Sequence, residues 1–292
     1  MATDPSANTA ALADQLIQHI RRLNRCAVAF SGGVDSAVVA MAAHQALGDQ
    51  AEAITAVSPS LAAADRTFAA REAAHIGIRH REIQTAELQS ADYRRNSGDR
   101  CFHCRDTMYA TMELLLQHTS DIQILNGANH DDLGDHRPGM KAALQHRVRS
   151  PLLELQISKS HVRQLANFWN LLSADRPASP CLASRIVYGI EVTPERLSRI
   201  EQAEGFLRTV LGNSNFRVRL ESGELARIEV EPAALPLLCE ETMRNQITVQ
   251  LRRLGFRAVT LDLEGFRSGN LNQLLIPLGD LTHQSGETPD EY

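Results

Sequence analysis

The sequence has few aromatic residues and no long hydrophobic run. Phe, Trp and Tyr make up 4% of its 292 residues, although hydrophobic residues as a whole make up 43%. Scarce aromatics with plentiful alanine fit packed α/β layers better than a β-sandwich. No stretch approaches the length of about 20 apolar residues that a bilayer requires, so no membrane association is expected.

The sequence also lacks a strong net charge, and its cysteines are few. A formal net charge of −5 argues against broad nucleic-acid binding. Because the first residues lack the charged-then-apolar pattern of a secretory signal, we expect a cytoplasmic protein. In that reducing compartment cysteines are better suited to metal binding or catalysis than to disulfides. The five cysteines are Cys26, Cys101, Cys104, Cys181 and Cys239.

A glycine-rich loop, SGGVDS at 31–36, separates a short apolar segment from a helix-forming segment. Adjacent glycines let the backbone bring N–H groups close to a ligand, and a helix N-terminus adds further unpaired N–H groups. The loop is neither a Walker A loop nor a GxGxxG fingerprint, and it resembles the SGGxDS signature of PP-loop ATP pyrophosphatases. A solvated turn is the alternative. The resemblance assigns five residues to the ATP site: Ser31, Gly32, Gly33, Asp35, which also receives a catalytic role, and Ser36.

Strands and helices alternate through the first part of the chain. Apolar segments predict strands ending at Phe30 and at 53–57, 78–83 and 122–125, and helices at 10–23, at 61–76 and after Arg105 as far as Leu116. Such βαβ units imply a parallel sheet with helices on both faces. Ligands of these sheets bind beyond the strand C-termini, where the glycine-rich loop falls.

A second polar segment follows the strand at 122–125 and contains Asn129, Asp131 and Asp132. Two carboxylates just past a strand end suit Mg²⁺, which prefers hard oxygen ligands. A helix-capping role is the alternative, but a phosphate loop across the same sheet favours the metal. Arg137, in the turn-rich loop that follows, could meet a phosphate or a carboxylate.

The regular alternation stops at the segment 176–181, which contains two prolines. We predict an N-terminal PP-loop domain of the α/β class over 1–180 and a smaller C-terminal α+β domain over 181–281. A tail at 282–292, rich in polar and acidic residues, is predicted to be disordered. In the second domain we predict a helix from Pro194 and strands at 216–220, 226–231 and 258–263.

Motifs in the same order along nearly the whole chain resemble the LarE family of PP-loop sulfur transferases. They are SGGVDS at 31–36, NGANHDD at 126–132, DHRPG at 135–139, SPL at 150–152, PCLASR at 180–185, RVR at 217–219, RIEV at 227–230 and DLEGFRSG at 262–269. The resemblance implies adenylylation of a carboxylate of pyridinium-3,5-biscarboxylic acid mononucleotide and replacement of an oxygen by sulfur, in the synthesis of a nickel-pincer nucleotide. It also implies ATP with Mg²⁺, an ATP-site role for Asn129, and a hexamer.

The cysteines decide the mechanism that the resemblance implies. Cys181 matches the family's sulfur-handling cysteine, and a guanidinium such as that of Arg185 would favour its thiolate. In one branch this cysteine gives up its own sulfur. In another branch three cysteines hold a [4Fe–4S] cluster, and Cys101 and Cys104 at C-x-x-C spacing favour that branch. Inert core cysteines are the alternative for all three, and Cys26 and Cys239 are predicted to lie in the core.

Two arginines alternate along one predicted strand, Arg217 and Arg219, and therefore share a face. The resemblance makes them, with Arg185 and Glu229, candidates for binding the substrate's phosphate or carboxylates. Ordinary solvent-facing charge is the alternative. Three other functions remain open from the sequence: a tRNA thiolase, an amide-forming ligase and a nucleotide-sensing module that does not cleave ATP.

Overall fold

Residues 5–134, 139–212 and 214–267 are described by a computed structural model, and contacts among them define two units. The first unit contains the described part of Met1–Leu182 together with Glu191–Leu197. The second unit contains Ala183–Ile190 and the described part of Ser198–Tyr292. The predicted loop at Arg137 and the predicted tail at 282–292 lie outside the described residues.

The first unit is built on a four-stranded parallel sheet with strand order β3-β2-β1-β4. Its strands are β1 Arg25–Ala29, β2 Ala51–Val57, β3 Arg79–Gln84 and β4 Ile122–Leu125. Its helices are α1 Pro5–Arg21, α2 Val34–Leu47, α3 Ala63–Ile76, α4 Ala91–Arg94, α5 Arg100–Leu116, α6 Gly139–Gln145, α7 Pro151–Glu154 and α8 Lys159–Phe168. The α/β class with an N-terminal parallel sheet, predicted from the alternating pattern, is confirmed.

The central strand β1 is buried on both faces, which explains its unbroken apolar sequence. Cys26 and Val28 belong to a core shared with α1, α2 and α8. Ala27, between them, points to the opposite core, which contains Tyr109 and Met112 of α5. Helices therefore cover both sides of the sheet, and the C-terminal edge of the strands stays available for a site.

The polar segment at 93–100 contains the end of α4 and the start of α5, although its polar composition alone indicates a loop. Helix α4 forms because the Ser90 side chain accepts a hydrogen bond from the Tyr93 N–H. The charged strand β3 is an edge strand, and this position explains why half of its side chains can remain in water.

The second unit contains a three-stranded sheet with order β5-β6-β7. Strands β5 and β6 are antiparallel, whereas β7 runs parallel to β6. The elements are α9 Pro194–Leu211, of which the part from Ser198 belongs to this unit, β5 Phe216–Glu221, β6 Leu225–Val230, α10 Leu235–Cys239, α11 Glu241–Arg253 and β7 Ala258–Leu261. This small mixed unit matches the predicted α+β class. Among the helices described in either unit, none is long and apolar enough to cross a bilayer.

Candidate ATP and thiol site

The loop after β1 is held in shape by its own two serines. The Ser31 hydroxyl accepts the Gly33 N–H at 3.2 Å. The Ser36 hydroxyl donates to the Gly33 carbonyl at 2.9 Å and accepts the Ser31 N–H at 3.3 Å. These bonds fold the loop back onto the first turn of α2, whose positive dipole end faces the same space.

Two glycines bring backbones close together around this loop. Gly32 has a φ of +72°, and a Cβ atom there would lie 2.8 Å from the Cα of Ala69. A Cβ atom on Gly127, after β4, would lie 2.7 Å from the Ser36 nitrogen. The loop is therefore clamped between α3 and the end of β4, and no larger residue fits at either position.

Asp35 is connected to the segment after β4 and to the start of α8 by two residues. Its Oδ1 accepts a hydrogen bond from Asn129 Nδ2 at 3.0 Å, and its Oδ2 lies 2.5 Å from Lys159 Nζ. The sequence reasoning placed Asn129 in the ATP site but missed Lys159. One signal could have found it, because a lysine in the first turn of a helix opposes the helix dipole and needs another reason to be there.

The two candidate magnesium carboxylates make hydrogen bonds typical of caps and turns. Asp131 Oδ2 accepts the Lys159 N–H at 2.8 Å, which holds the start of α8. Asp132 Oδ2 accepts the Asn129 N–H at 3.0 Å. Asp131 is exposed, whereas Asp132 is buried and lines the cavity described next. The magnesium assignment of both residues stays a prediction.

A cavity of about 420 Å³ joins the loop to three of the five cysteines. Its wall includes Ser31, Gly33, Asp35 and Ser36 on one side and Cys101, Cys104 and Cys181 on another. Cys101 and Cys104 lie one turn apart in α5 and therefore share a helix face. Cys181 is fixed beside the end of β2, because the N–H of the next residue, Leu182, donates to the Ser60 carbonyl at 2.9 Å.

The thiols differ in their surroundings. Burial raises the pKa of Cys104, and nearby Cys181, Glu87 and Cys101 raise it further, while Arg105 opposes this. Cys101 and Cys181 are exposed, so Cys181 is not an inert buried cysteine.

The two remaining cysteines lie outside this cavity wall. Cys26 is buried, as predicted, and burial raises its pKa to about 12. Cys239 is exposed, so its predicted place in the core was wrong. It lies at the end of the short helix α10, which buries Leu238 and leaves the neighbouring side chain in solvent.

A hydroxyl-rich wall faces the thiols. The Ser60 hydroxyl and the Tyr93 hydroxyl are 2.6 Å apart, and burial raises the pKa of Tyr93. The Ser58 hydroxyl donates to Glu87 Oε1. Glu87 is 2% exposed, and its Oε2 makes no hydrogen bond to any residue that the structure describes. Burying a carboxylate oxygen without a hydrogen-bond partner costs folding free energy, so this part of the cavity wall is unusually polar for a buried surface.

The cysteine set fits a cluster better than a single metal ion. Within the described residues, no three His, Cys, Asp or Glu side chains are gathered closely enough to hold one metal ion. A four-iron cluster separates its thiolate ligands more widely than one ion does, and three thiolates leave one iron without a protein ligand. The donors present, three thiols on one cavity wall, suit iron and sulfide chemistry.

Three of the four predicted substrate residues of the second unit, Arg185, Arg219 and Glu229, take part in ion pairs. Arg185, 4% exposed, binds Glu204 through Nε at 3.1 Å. Arg219 binds Glu229 at 3.0 Å, and Glu229 also accepts from Arg227 at 3.0 Å. Glu204 was missed from the sequence, where nothing distinguishes it from the other charged residues of α9. The expected shared face of Arg217 and Arg219 therefore carries an ordered charge network and not simple solvent-facing charge.

Arg217 differs from its neighbours in this network. Burial lowers its pKa to about 10, and the adjacent cations Arg185, Arg219 and Arg208 contribute, against the opposing effect of Glu204. Its guanidinium lies 5.0 Å from the centroid of the Phe266 ring. Repulsion from three cations makes this a place where an anion would be stabilised.

A parallel sheet in the order observed, with a Ser-Gly-Gly loop between its central strand and a helix, is typical of the PP-loop nucleotide-binding class. The asparagine synthase family model matches residues 9–120, which contain this loop.

Whole-chain comparisons are more specific. The chain is 32% identical over 261 residues to the pyridinium-3,5-bisthiocarboxylic acid mononucleotide synthase of Lactiplantibacillus plantarum, covering 89% of this chain and 93% of that protein. It is 43% identical over 262 residues to an uncharacterized protein of Synechocystis, covering 90% and 97%. An uncharacterized protein of Methanocaldococcus jannaschii is 28% identical over 174 residues, covering 60% and 66%. The chain belongs to the LarE family and is a PP-loop sulfur transferase.

Proposed function

We propose that this enzyme uses ATP to activate a carboxylate of pyridinium-3,5-biscarboxylic acid mononucleotide and then inserts sulfur, giving the thiocarboxylate. The observation that carries the proposal is the single cavity that contains both the phosphate loop and Cys101, Cys104 and Cys181. The similarity to the Lactiplantibacillus synthase supports the choice of substrate.

The phosphate loop would perform the first half of the reaction. The N–H groups around Gly33 and the N-terminus of α2 hold the phosphates of ATP. Asp35 and Asp132, which line the cavity, would hold Mg²⁺, whose charge neutralises the departing pyrophosphate. Lys159, beside Asp35, adds a second cation. These groups make pyrophosphate a good leaving group when the substrate carboxylate attacks the α-phosphate.

The thiol side of the cavity would perform the second half. A carboxylate is a poor electrophile, and the AMP attached in the first step supplies a leaving group. A sulfur nucleophile then attacks the acyl carbon and AMP departs. Cys181 is exposed within the cavity and is held close to the hydroxyl-rich wall by the Leu182–Ser60 bond. Cys181 therefore places a sulfur atom in the same cavity as the phosphate loop.

We propose that Cys101, Cys104 and Cys181 hold a [4Fe–4S] cluster. When bound, such a cluster supplies an iron without a protein ligand, where exogenous sulfide can be held for transfer. The three thiols of this chain would fix the position of the cluster, and the raised pKa of Cys104 means that its proton must be displaced on loading. Sacrifice of the Cys181 sulfur itself is the competing route.

In the second unit, Arg217 is the candidate for binding an anionic group, because a guanidinium pairs with phosphate and carboxylate groups and three other arginines add to the positive charge around it. Arg185, Arg219 and Glu229 would position it through their ion pairs. Mg²⁺ and a hexameric assembly are part of the proposal and follow from the family.

The test is product formation by anaerobically reconstituted protein with ATP, sulfide and the biscarboxylate mononucleotide. We expect pyrophosphate release that requires the mononucleotide, and thiocarboxylate formation that is lost in Cys101→Ala, Cys104→Ala and Cys181→Ala. The matched control is Cys239→Ala, an exposed cysteine outside the cavity wall, which should keep full activity.

Three results would contradict this function. Turnover stimulated by ammonia with the cysteines dispensable would identify an amide-forming ligase. Thiolation of tRNA by the purified protein would identify a tRNA thiolase. ATP binding with no pyrophosphate release under any of these conditions would identify a nucleotide sensor.

A further inference from the structure

Arg105 lines the same cavity as the phosphate loop and the three cysteines. It follows Cys104 directly in α5 and is partly buried. The proposed function gives it no role, and the sequence motifs did not single it out. Its position on the wall of this cavity makes it a candidate for binding a ligand there.

Arg105 differs from most partly buried arginines of the first unit in having no carboxylate partner among the described residues. Three others are paired: Arg94 with Glu191, Arg149 with Glu154 and Arg176 with Asp65. The second arginine of the cavity wall, Arg100, donates to Asn96. An arginine on a cavity wall that no carboxylate neutralises is a binding group for an anion.

The course of the Arg105 side chain is fixed by packing against α6. A Cβ atom on Gly139, the first residue of α6, would lie 2.8 Å from Arg105 Nε. The absence of a side chain at Gly139 therefore leaves the space that Arg105 occupies. A side chain held in this way loses less freedom when it binds a ligand than a solvent-exposed arginine does.

The charge of Arg105 acts on the wall of the cavity. Burial raises the pKa of Tyr109, another residue of this wall, and the Arg105 guanidinium opposes that rise. The wall also includes apolar residues such as Phe30, Ala56 and Met108, which limit screening by water. The positive charge of Arg105 is therefore weakly screened inside the cavity.

We propose that Arg105 binds the substrate carboxylate that is adenylylated and then receives sulfur. This inference rests on the proposed function and deepens it. The reacting carboxylate must lie within reach of both the α-phosphate and the sulfur donor, and Arg105 lines the cavity that contains both the phosphate loop and the three cysteines. A planar guanidinium matches a carboxylate through two parallel hydrogen bonds. The ATP phosphates have their own donors in the loop and at the start of α2.

Equilibrium binding tests the assignment without requiring turnover. We would titrate Arg105→Met, Arg105→Lys and wild-type protein with nicotinic acid mononucleotide and with nicotinamide mononucleotide, which differ in a carboxylate and a neutral amide. Wild-type protein should prefer the carboxylate, and Arg105→Met should weaken its binding by about 10- to 100-fold while leaving the amide unchanged. Arg105→Lys should restore part of the preference. The matched control is Arg71→Met, an exposed arginine of α3.

The outcomes separate the possible anions and the two proposals. Weaker binding of ATP with unchanged carboxylate preference would overturn the assignment and place a phosphate on Arg105. An equal loss of binding affinity for both mononucleotides in Arg105→Met would overturn the assignment as well, because the effect would not depend on the carboxylate. If Arg105 determines the preference for the carboxylate but the protein makes no thiocarboxylate, the proposed function is contradicted and the assignment of Arg105 still holds.

Discussion

The arginines around the sheet of the second unit and Arg105 in the cavity of the first unit are used in opposite ways. In the second unit, Arg185, Arg219 and Arg227 lie in ion pairs with buried or half-buried carboxylates. In the cavity of the first unit, Arg105 has no such partner within the described residues. Buried charges that neutralise one another hold the second unit's sheet together. A charge left without a partner on a cavity wall contributes little to folding and is suited to a ligand.

The strongest test of this contrast is Glu229→Gln. Glu229 has no exposure and accepts hydrogen bonds from both Arg219 and Arg227. Removing its charge leaves two partly buried guanidinium groups without their shared partner, so the free energy of unfolding should fall by about 3–5 kcal/mol. Urea denaturation measures this value. Glu221→Gln, which affects only Arg227 at a more exposed site, should cost under about 1 kcal/mol.

Gly32→Ala tests the geometry of the phosphate loop. The substituted residue must adopt a φ of +72° and place its Cβ 2.8 Å from the Ala69 Cα, so the variant should lose about 1–3 kcal/mol of stability. ATP binding, measured by calorimetry, should fall below detection. The control is Gly189→Ala, where φ is +82° and no atom lies within 4 Å of the new Cβ. Unchanged ATP affinity in Gly32→Ala would contradict the clamped loop.

A smaller and pH-dependent effect is expected at His146. Burial lowers its pKa, but hydrogen bonds to Asp106 and Glu113 at 3.0 and 2.9 Å outweigh it and raise the pKa above 6.5 overall. Protonation therefore stabilises the folded state at pH values below 6.5, and this contribution disappears as pH rises through the folded-state pKa. Wild-type protein should exceed His146→Gln in unfolding free energy by under about 1 kcal/mol at pH 5.5, and the difference should shrink by pH 8.5.

The smallest expected change is in the stability of Arg105→Met. Because Arg105 has no carboxylate partner in the described structure, its unfolding free energy should stay within about 0.5 kcal/mol of wild type. Urea denaturation measures this beside Glu229→Gln. A loss of several kcal/mol would mean that Arg105 has a structural role like that of the second unit's arginines, and the contrast between the units would fail.

Local patterns were sufficient to predict the sheet and the phosphate loop. The apolar runs predict β1 and β2, and the glycines at 32 and 33 predict the loop. Each of these structures depends on only a few neighbouring residues. Contacts between distant segments were not predictable in the same way. The pair of Lys159 with Asp35 joins residues 124 positions apart. The pair of Arg185 with Glu204 depends on how α9 packs within the second unit, which no periodicity in the sequence specifies.

The cysteines show which part of the site could not be predicted from the sequence. The C-x-x-C spacing of Cys101 and Cys104 suggested a pair of metal ligands, but only the fold brings Cys181 to the same cavity. Cys239 was assigned to the core from a helical pattern, and it is exposed because α10 is a short helix with one buried residue.

The central claim is that the cavity transfers sulfur without consuming the protein. Intact-mass measurement of the chain before and after a single anaerobic turnover tests it most directly. We predict thiocarboxylate product together with an unchanged chain mass after the cluster is removed. A chain lighter by the mass of H₂S, with the loss located at Cys181, would contradict this account and identify that cysteine as the sacrificed donor.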